Sequence, residues 1–383
     1  MEKYSAYRDA GTGLQPFLTP VPPQASSALH VATLPVRVIL GTLRAVVLLA
    51  ITLLYLLLVN ALSLIFIPIP FLYRLITWLF TALCARLALF VIGFWWIPVE
   101  VIAKKRGGPR AHGVKETWNP RAGDLIISNW VAWAELLWLA FRFNPVFVLP
   151  VSDIPPMLEN LAPITPVSTP GRRTGTGSAA ISSTPRQARP RVPILGFRKV
   201  SLLQMINATG KPPAPETSEP YLSIDEIRRK ADRPVVVFPE CTTSNGRALI
   251  RFADVFGDKS QVPAKGYNVF LMCVRYDPPT IWSPTITHSI PSTSLPNPIP
   301  HVFTLLSSSL SRTMSIRLLA PSESPSSGAI LVSDILSSPA QDELSEVSSV
   351  LIAQLGKFKS IKGMGWEDKV SFLELYRRKS RGL

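Results

Sequence analysis

Two short polar clusters hold the side chains in this 383-residue chain that can do chemistry. The first runs Pro239–Glu240–Cys241–Thr242–Thr243–Ser244–Asn245–Gly246–Arg247. A guanidinium grips phosphate or carboxylate through a fork of donors, so Arg247 is a candidate anion holder. Glu240 can fix that arginine or a substrate hydroxyl. The plainer alternative is a polar turn closed by a Glu240–Arg247 ion pair. A thiol attacks only as thiolate, and no basic partner for Cys241 is evident nearby. The second cluster is Asn129–Trp130–Val131–Ala132–Trp133–Ala134–Glu135. Glu135 is the only acid in the apolar run Val131–Phe143. A carboxylate there is costly unless it is paired or has the raised pKa of a general base. It can equally be a structural partner for Arg142 or a buried amide. Trp130 offers only a donor, because indole nitrogen has no basic lone pair. His30, His112, His288 and His301 stand in a tail, a Gly/Arg loop and Pro/Ser-rich sequence, where surface positions are expected.

Each cluster follows a strand. Val235–Phe238 is a β-branched run closed by Pro239, and Ala248–Phe252 resumes the apolar character. Asp124–Asn129 reads as a strand, Val131–Phe143 as a helix and Pro145–Pro150 as a strand, a parallel crossover unit. Polar groups at the ends of buried strands are where α/β folds place ligands. Further expected elements are a helix over Tyr221–Ala231 capped by Ser223 and Glu226, a strand over Asn268–Tyr276 and an edge strand over Met314–Ala320. A C-terminal helix is expected to start with Ser338 as cap, Pro339 and Gln341, bury Leu344, Val347, Leu351 and Leu355, and stop at Gly356. A last helix covers Trp366–Arg378. The fold class is α/β, a mixed, largely parallel sheet flanked by helices, preceded by a membrane-embedded two-helix hairpin.

The hairpin expectation rests on Ala45–Tyr73, 29 residues without a charge. Ala45–Ile67 as a helix reaches roughly 35 Å, enough for a bilayer core of about 30 Å. Pro68 and Pro70 interrupt it, and Leu75–Ile97 follows with Arg86 inside and Trp95–Trp96 at its end. Basic residues flank both ends: Arg37 and Arg44 before, Lys104, Lys105 and Arg106 after. Both ends are therefore expected on the cytosolic side. One span followed by an interfacial helix, with Arg86 snorkelling, is the alternative. The divisions are a mobile tail over 1–36, the hairpin over 37–98 and an α/β domain over 99–383 with loops near 165–195 and 277–312. No removable secretory signal is expected at the start. Net charge is +15, but only 17 % of residues are charged and 47 % are hydrophobic. An anionic membrane surface fits that balance better than nucleic acid, for which no motif is present. Cys84, Cys241 and Cys273 are too scattered for a disulfide framework or metal-ligand spacing.

Phe238–Arg247 resembles the third motif of the glycerolipid acyltransferase superfamily, Phe-Pro-Glu-Gly-Thr-Thr-Ser-Asn-Gly-Arg, with Cys241 in place of the first glycine. Asn129–Glu135 resembles that superfamily's first motif, Asn-His, four residues, then Asp, with Trp130 for the histidine and Glu135 for the aspartate. Val192–Lys199 is similar to its second motif, and Asn268–Tyr276 to its fourth. Gly363–Lys369 resembles the end of fungal, lipid-droplet-associated lysophosphatidate acyltransferase-like proteins, in which the first motif also reads Asn-Trp. The resemblance covers roughly residues 120–276 and the tail motif. It implies transfer of an acyl group from acyl-coenzyme A, a co-substrate, to a lysophospholipid such as lysophosphatidate, with no metal. It implies Arg198, Glu240, Thr242 and Arg247 at the acceptor, and Asn129 and Glu135 in the catalytic corner, with Glu135 taking the proton. The implied setting is the endoplasmic reticulum or lipid-droplet membrane with the domain facing the cytosol. A non-catalytic lipid-binding adaptor on the same fold is the alternative reading, because the motif histidine is Trp130.

Overall fold

The strands that precede the two clusters are neighbours in one sheet, which is why clusters over a hundred residues apart in sequence can meet. A computed structural model describes the chain except residues 1–3, 10, 24–26, 104–115, 154–190, 217–218, 258–260, 309–310, 329, 331, 337–339 and 381–383, and the side chains of 27–31. The elements are α1 (Ser27–Tyr55), α2 (Pro70–Ile92), β1 (Val99–Ile102), β2 (Leu125–Ser128), α3 (Ala134–Phe143), β3 (Val146–Ser152), β4 (Ile194–Val200), α4 (Leu202–Ala208), β5 (Ala214–Pro215), α5 (Ile224–Arg229), β6 (Val235–Val237), β7 (Ala248–Ile250), β8 (Val269–Tyr276), α6 (Ile299–Leu306), β9 (Met314–Leu319), α7 (Glu343–Gly356), β10 (Lys359–Ile361) and α8 (Trp366–Ser380).

The main sheet runs β1-β9-β8-β2-β6-β3-β4, with β5 beside β3; β7 and β10 form a separate parallel pair. β2 is parallel to both β6 and β8, and β6 to β3. β4 and β9 run antiparallel to β3 and β8. The strands alternate their side chains between two cores, as period-2 geometry requires. Ile126, Val236 and Met272 face α2, α3 and α4. Leu125, Ile127, Val235, Val237 and Leu271 face α5, α7 and Trp366. The crossover β2–α3–β3 is present, but β6 lies between its two strands.

Several expectations change. β9 is interior, because β1, which the sequence reading lacks, takes the edge beside it. α7 starts at Glu343 under an Asp342 cap that accepts from Ser345 N at 3.0 Å. The cap expected at Ser338 and Pro339 lies outside the described residues, as do most of the 165–195 loop, His112 and Lys104–Arg106. The 277–312 excursion contains helix α6. Described residues of the tail pack where the tail was expected to be mobile, because their aromatics find a core. Tyr7 and Phe17 are buried against Phe372 of α8. The first long apolar helix, expected to begin near 37, begins at Ser27.

Two helical stretches, Ala32–Phe66 and Pro70–Ile92, are long and apolar enough to cross a membrane. Pro70 opens α2, where a missing N–H costs nothing. The inner face of α2 (Ala85, Ala88, Leu89, Ile92) packs into the core with α3. Its outer face leaves Phe71, Trp78, Leu79 and Phe90 exposed, and α1 exposes leucines and valines along its length. Arg86 does not reach outward alone: it ties the segment after α2 back to the helix by donating to Phe94 O (2.9 Å) and Trp95 O (2.7 Å).

Candidate functional site

The register pairs Ile127 with Val237, so Asn129 and Pro239 leave adjacent parallel strands side by side at the same edge. Trp130 N donates to Glu240 Oε2 at 2.8 Å, and Ser244 N donates to Trp130 O at 3.2 Å. The two polar clusters thus form one corner. Asn129 locks it to a third strand, donating from Nδ2 to Val274 O (3.0 Å) and accepting from Val274 N (2.8 Å).

Glu135 faces back onto the turn ahead of its own helix. Oε1 accepts from Val131 N (2.6 Å) and Ala132 N (3.1 Å), and Oε2 from Tyr276 Oη (2.7 Å). The carboxylate thereby satisfies two N–H groups of the turn ahead of α3, which starts three residues later than its apolar run. Glu135 is fully buried and does not contact Arg142, which is exposed. Glu240 is also fully buried and accepts from Ile250 N at 3.2 Å through Oε1. Arg247 is exposed, and among the described residues its guanidinium has no hydrogen-bond or ion-pair partner. The Glu240–Arg247 pair is therefore absent, and the guanidinium is free to hold an anion. Thr242 Oγ1 donates to Lys211 O at 3.0 Å. Arg198 lies on β4 and pairs with the exposed Glu219. Trp130 is buried and stacks on Phe238 with ring centroids 5.1 Å apart.

Burial raises Glu240 to about 8 and Glu135 to about 7, while their backbone N–H bonds pull the other way. Both values lie above the ordinary 4.5. Between pH 4.5 and the folded-state values, the folded protein binds more protons than the unfolded chain. The contribution of each carboxyl to stability must then fall as pH rises through that window, by up to about 1.4 kcal/mol per pH unit. Chemical unfolding in detergent micelles at pH 5, 6.5 and 8 reads this. Burial holds His288 and His301 low, which opposes this trend below pH 6.5, so the carboxyl share is read as the difference between wild type and Glu240→Gln. The stability advantage of wild type over the variant is expected to shrink from pH 5 to pH 8; an advantage that grows contradicts it.

Cys241 adopts φ 55°, the left-handed region that glycine enters freely. Its thiol is buried, and that burial pushes its pKa well up. It is a packing group. Maleimide is expected to leave Cys241 unmodified in the folded protein and to alkylate it after unfolding; native-state labelling by mass spectrometry would contradict this.

Four residues at the corner carry no role in the sequence reading. Lys369 is fully buried and donates from Nζ to Thr243 O (2.6 Å) and Thr243 Oγ1 (3.2 Å). Tyr276 holds Glu135. His288 and His301 return to the corner in the excursion after β8, and His288 is only 5 % exposed. Their signal was positional: a loop leaving the same end of a parallel strand as the polar clusters lies over them. The N-terminal segment closes another side. Asn245 N donates to Pro16 O (2.8 Å), and its Nδ2 to Gln15 O (2.7 Å) and Leu18 O (2.9 Å). Among the described residues, no group of three or more acidic, histidine or cysteine side chains could hold a metal ion.

No family model matches the chain, and no curated protein or solved structure does either.

Proposed function

We propose that this protein is a membrane-anchored acyltransferase that moves a fatty acyl group from acyl-coenzyme A to the free hydroxyl of a lysophospholipid, with lysophosphatidate as the preferred acceptor. The observation that carries this reading is the direct bond between the two clusters, Trp130 N to Glu240 Oε2. Both resemble acyltransferase motifs, and a transferase needs them in one place. Arg247 supplies an exposed, uncommitted fork for the acceptor phosphate. Arg198 is a second cation, its pair with Glu219 being the solvent-exposed kind that contributes little. Glu240, Thr242 and Glu135 set the backbone of the corner, since their polar atoms are engaged inside it. The apolar outer faces of α1 and α2, with exposed Trp95 and Trp96, fit a bilayer and its boundary. Net charge +15 fits anionic lipid. In this reading the domain works on the cytosolic face of endoplasmic reticulum or lipid-droplet membrane.

One observation favours a second reading. The carboxylates of Glu135 and Glu240 are sealed from solvent, and an indole occupies the motif's histidine position. A lipid-binding adaptor that performs no chemistry has this appearance. Incubating the purified full chain with labelled acyl-coenzyme A and lysophosphatidate separates the two. Ester product above a mock preparation supports the enzyme; retained lipid without product supports the adaptor.

A further inference from the structure

The excursion between β8 and β9 brings a clamped histidine to the corner. His288 N donates to Val131 O at 3.0 Å, and its carbonyl accepts from Thr243 Oγ1 at 2.6 Å. The backbone on both sides of one residue is thereby held, one polar cluster taking its N–H and the other its carbonyl. Gly246 comes close on the same side: an added Cβ would lie 2.8 Å from Val131 Cγ1 and 3.4 Å from Thr287 Cγ2. Arg247 is the next residue.

The hydrogen bonds fix the tautomers. Indole nitrogen only donates, so Trp133 Nε1, 2.9 Å from His301 Nδ1, meets a lone pair there. His301 Nε2 then carries the proton and donates to Thr285 O at 3.0 Å. Asn297 Nδ2 donates to Asn207 O (3.0 Å) and Thr209 O (2.6 Å), which orients its amide. Asn297 Oδ1 therefore faces His288 Nε2, 2.7 Å away, and Nε2 is protonated. His288 Nδ1 keeps its lone pair, and no described residue bonds it.

Acyl transfer to an alcohol needs a base, and Trp130 cannot serve. We propose that His288 is the general base, and then the general acid, of the transfer reaction; this rests on the acyltransferase reading. The acceptor O–H gives its proton to His288 Nδ1 as its oxygen bonds to the thioester carbonyl carbon. When the tetrahedral adduct collapses, the C–S bond breaks and the thiolate takes that proton from Nδ1–H. The products are an ester and free coenzyme A thiol. Asn297 holds the ring as the orienting third member does in other nucleophile–base pairs. The groups facing His288 are Asn297, His301 on α6 and Lys369 on α8. Burial holds its pKa at about 4, Asn297 opposing and Lys369 reinforcing the shift, so the ring is neutral at pH 7.

The test assays the detergent-solubilised full chain with labelled acyl-coenzyme A and lysophosphatidate. His288→Gln is expected to lower kcat about 1000-fold, with KM for lysophosphatidate within threefold of wild type. A variant retaining a third or more of wild-type kcat overturns the assignment of His288 while leaving the acyltransferase reading intact. Wild type without product on any lysophospholipid overturns both. Diethyl pyrocarbonate treatment of wild type gives a reading that does not depend on a folded variant. Inactivation with an adduct on His288, slowed by lysophosphatidate, is expected. Activity that survives treatment, or is lost without an adduct on His288, overturns the assignment.

Discussion

Glu240→Ala is expected to cost the fold about 4 kcal/mol, because it strands a buried donor in each of two separate segments. Two buried backbone donors, Trp130 N and Ile250 N, end on its two oxygens. Neither finds water when the carboxylate is gone, and each stranded donor costs roughly 1–3 kcal/mol. Glu240→Gln keeps one acceptor oxygen and turns an NH2 towards the other donor, so about half the loss is expected. Guanidinium unfolding in micelles measures this. A loss below about 1 kcal/mol for the alanine variant would mean that the two clusters are not held together by this side chain.

Arg247→Ala is expected to leave stability unchanged and to lower kcat/KM for lysophosphatidate about 100-fold, or roughly 2.7 kcal/mol of binding to a phosphate. Its side chain is exposed and unpartnered among the described residues, so truncation disturbs no packing. Its backbone N–H, held by Asn245 Oδ1 at 3.2 Å, keeps the loop in place without the guanidinium. Lysine should recover only part of the loss, because a point charge cannot reproduce the fork. The loss should shrink for an acceptor lacking the terminal phosphate. Equal losses across acceptors would place Arg247 elsewhere in the reaction.

The sheet was largely legible because its central strands are short, β-branched and bounded by proline or polar residues. Val235–Val237, Leu125–Ser128 and Val269–Tyr276 all formed where the pattern put them. The capping box of α5 was equally local, with Ser223 and Glu226 exchanging bonds of 3.3 and 3.0 Å. The meeting of the two clusters was not legible, because strand register is a long-range property that neither cluster encodes alone. β1 was missed for a related reason: Val99–Ile102 is short and mostly exposed, and only pairing with β9 makes it a strand. The packed tail depends on Phe17 and Tyr7 meeting Phe372, which stands over 350 residues away. His288 was unreadable in principle from composition, since Pro/Ser-rich sequence normally marks surface. Its burial comes from backbone bonds to Val131 and Thr243, two partners contributed by other elements.

The most direct measurement is the initial rate of ester formation from labelled acyl-coenzyme A, read against lysophosphatidate concentration, for wild type and Arg247→Ala purified side by side. A saturating wild-type curve, with the variant needing about 100-fold more acceptor for the same rate, is the predicted result. A wild-type rate no greater than that of a mock preparation, or two superimposable curves, would contradict it.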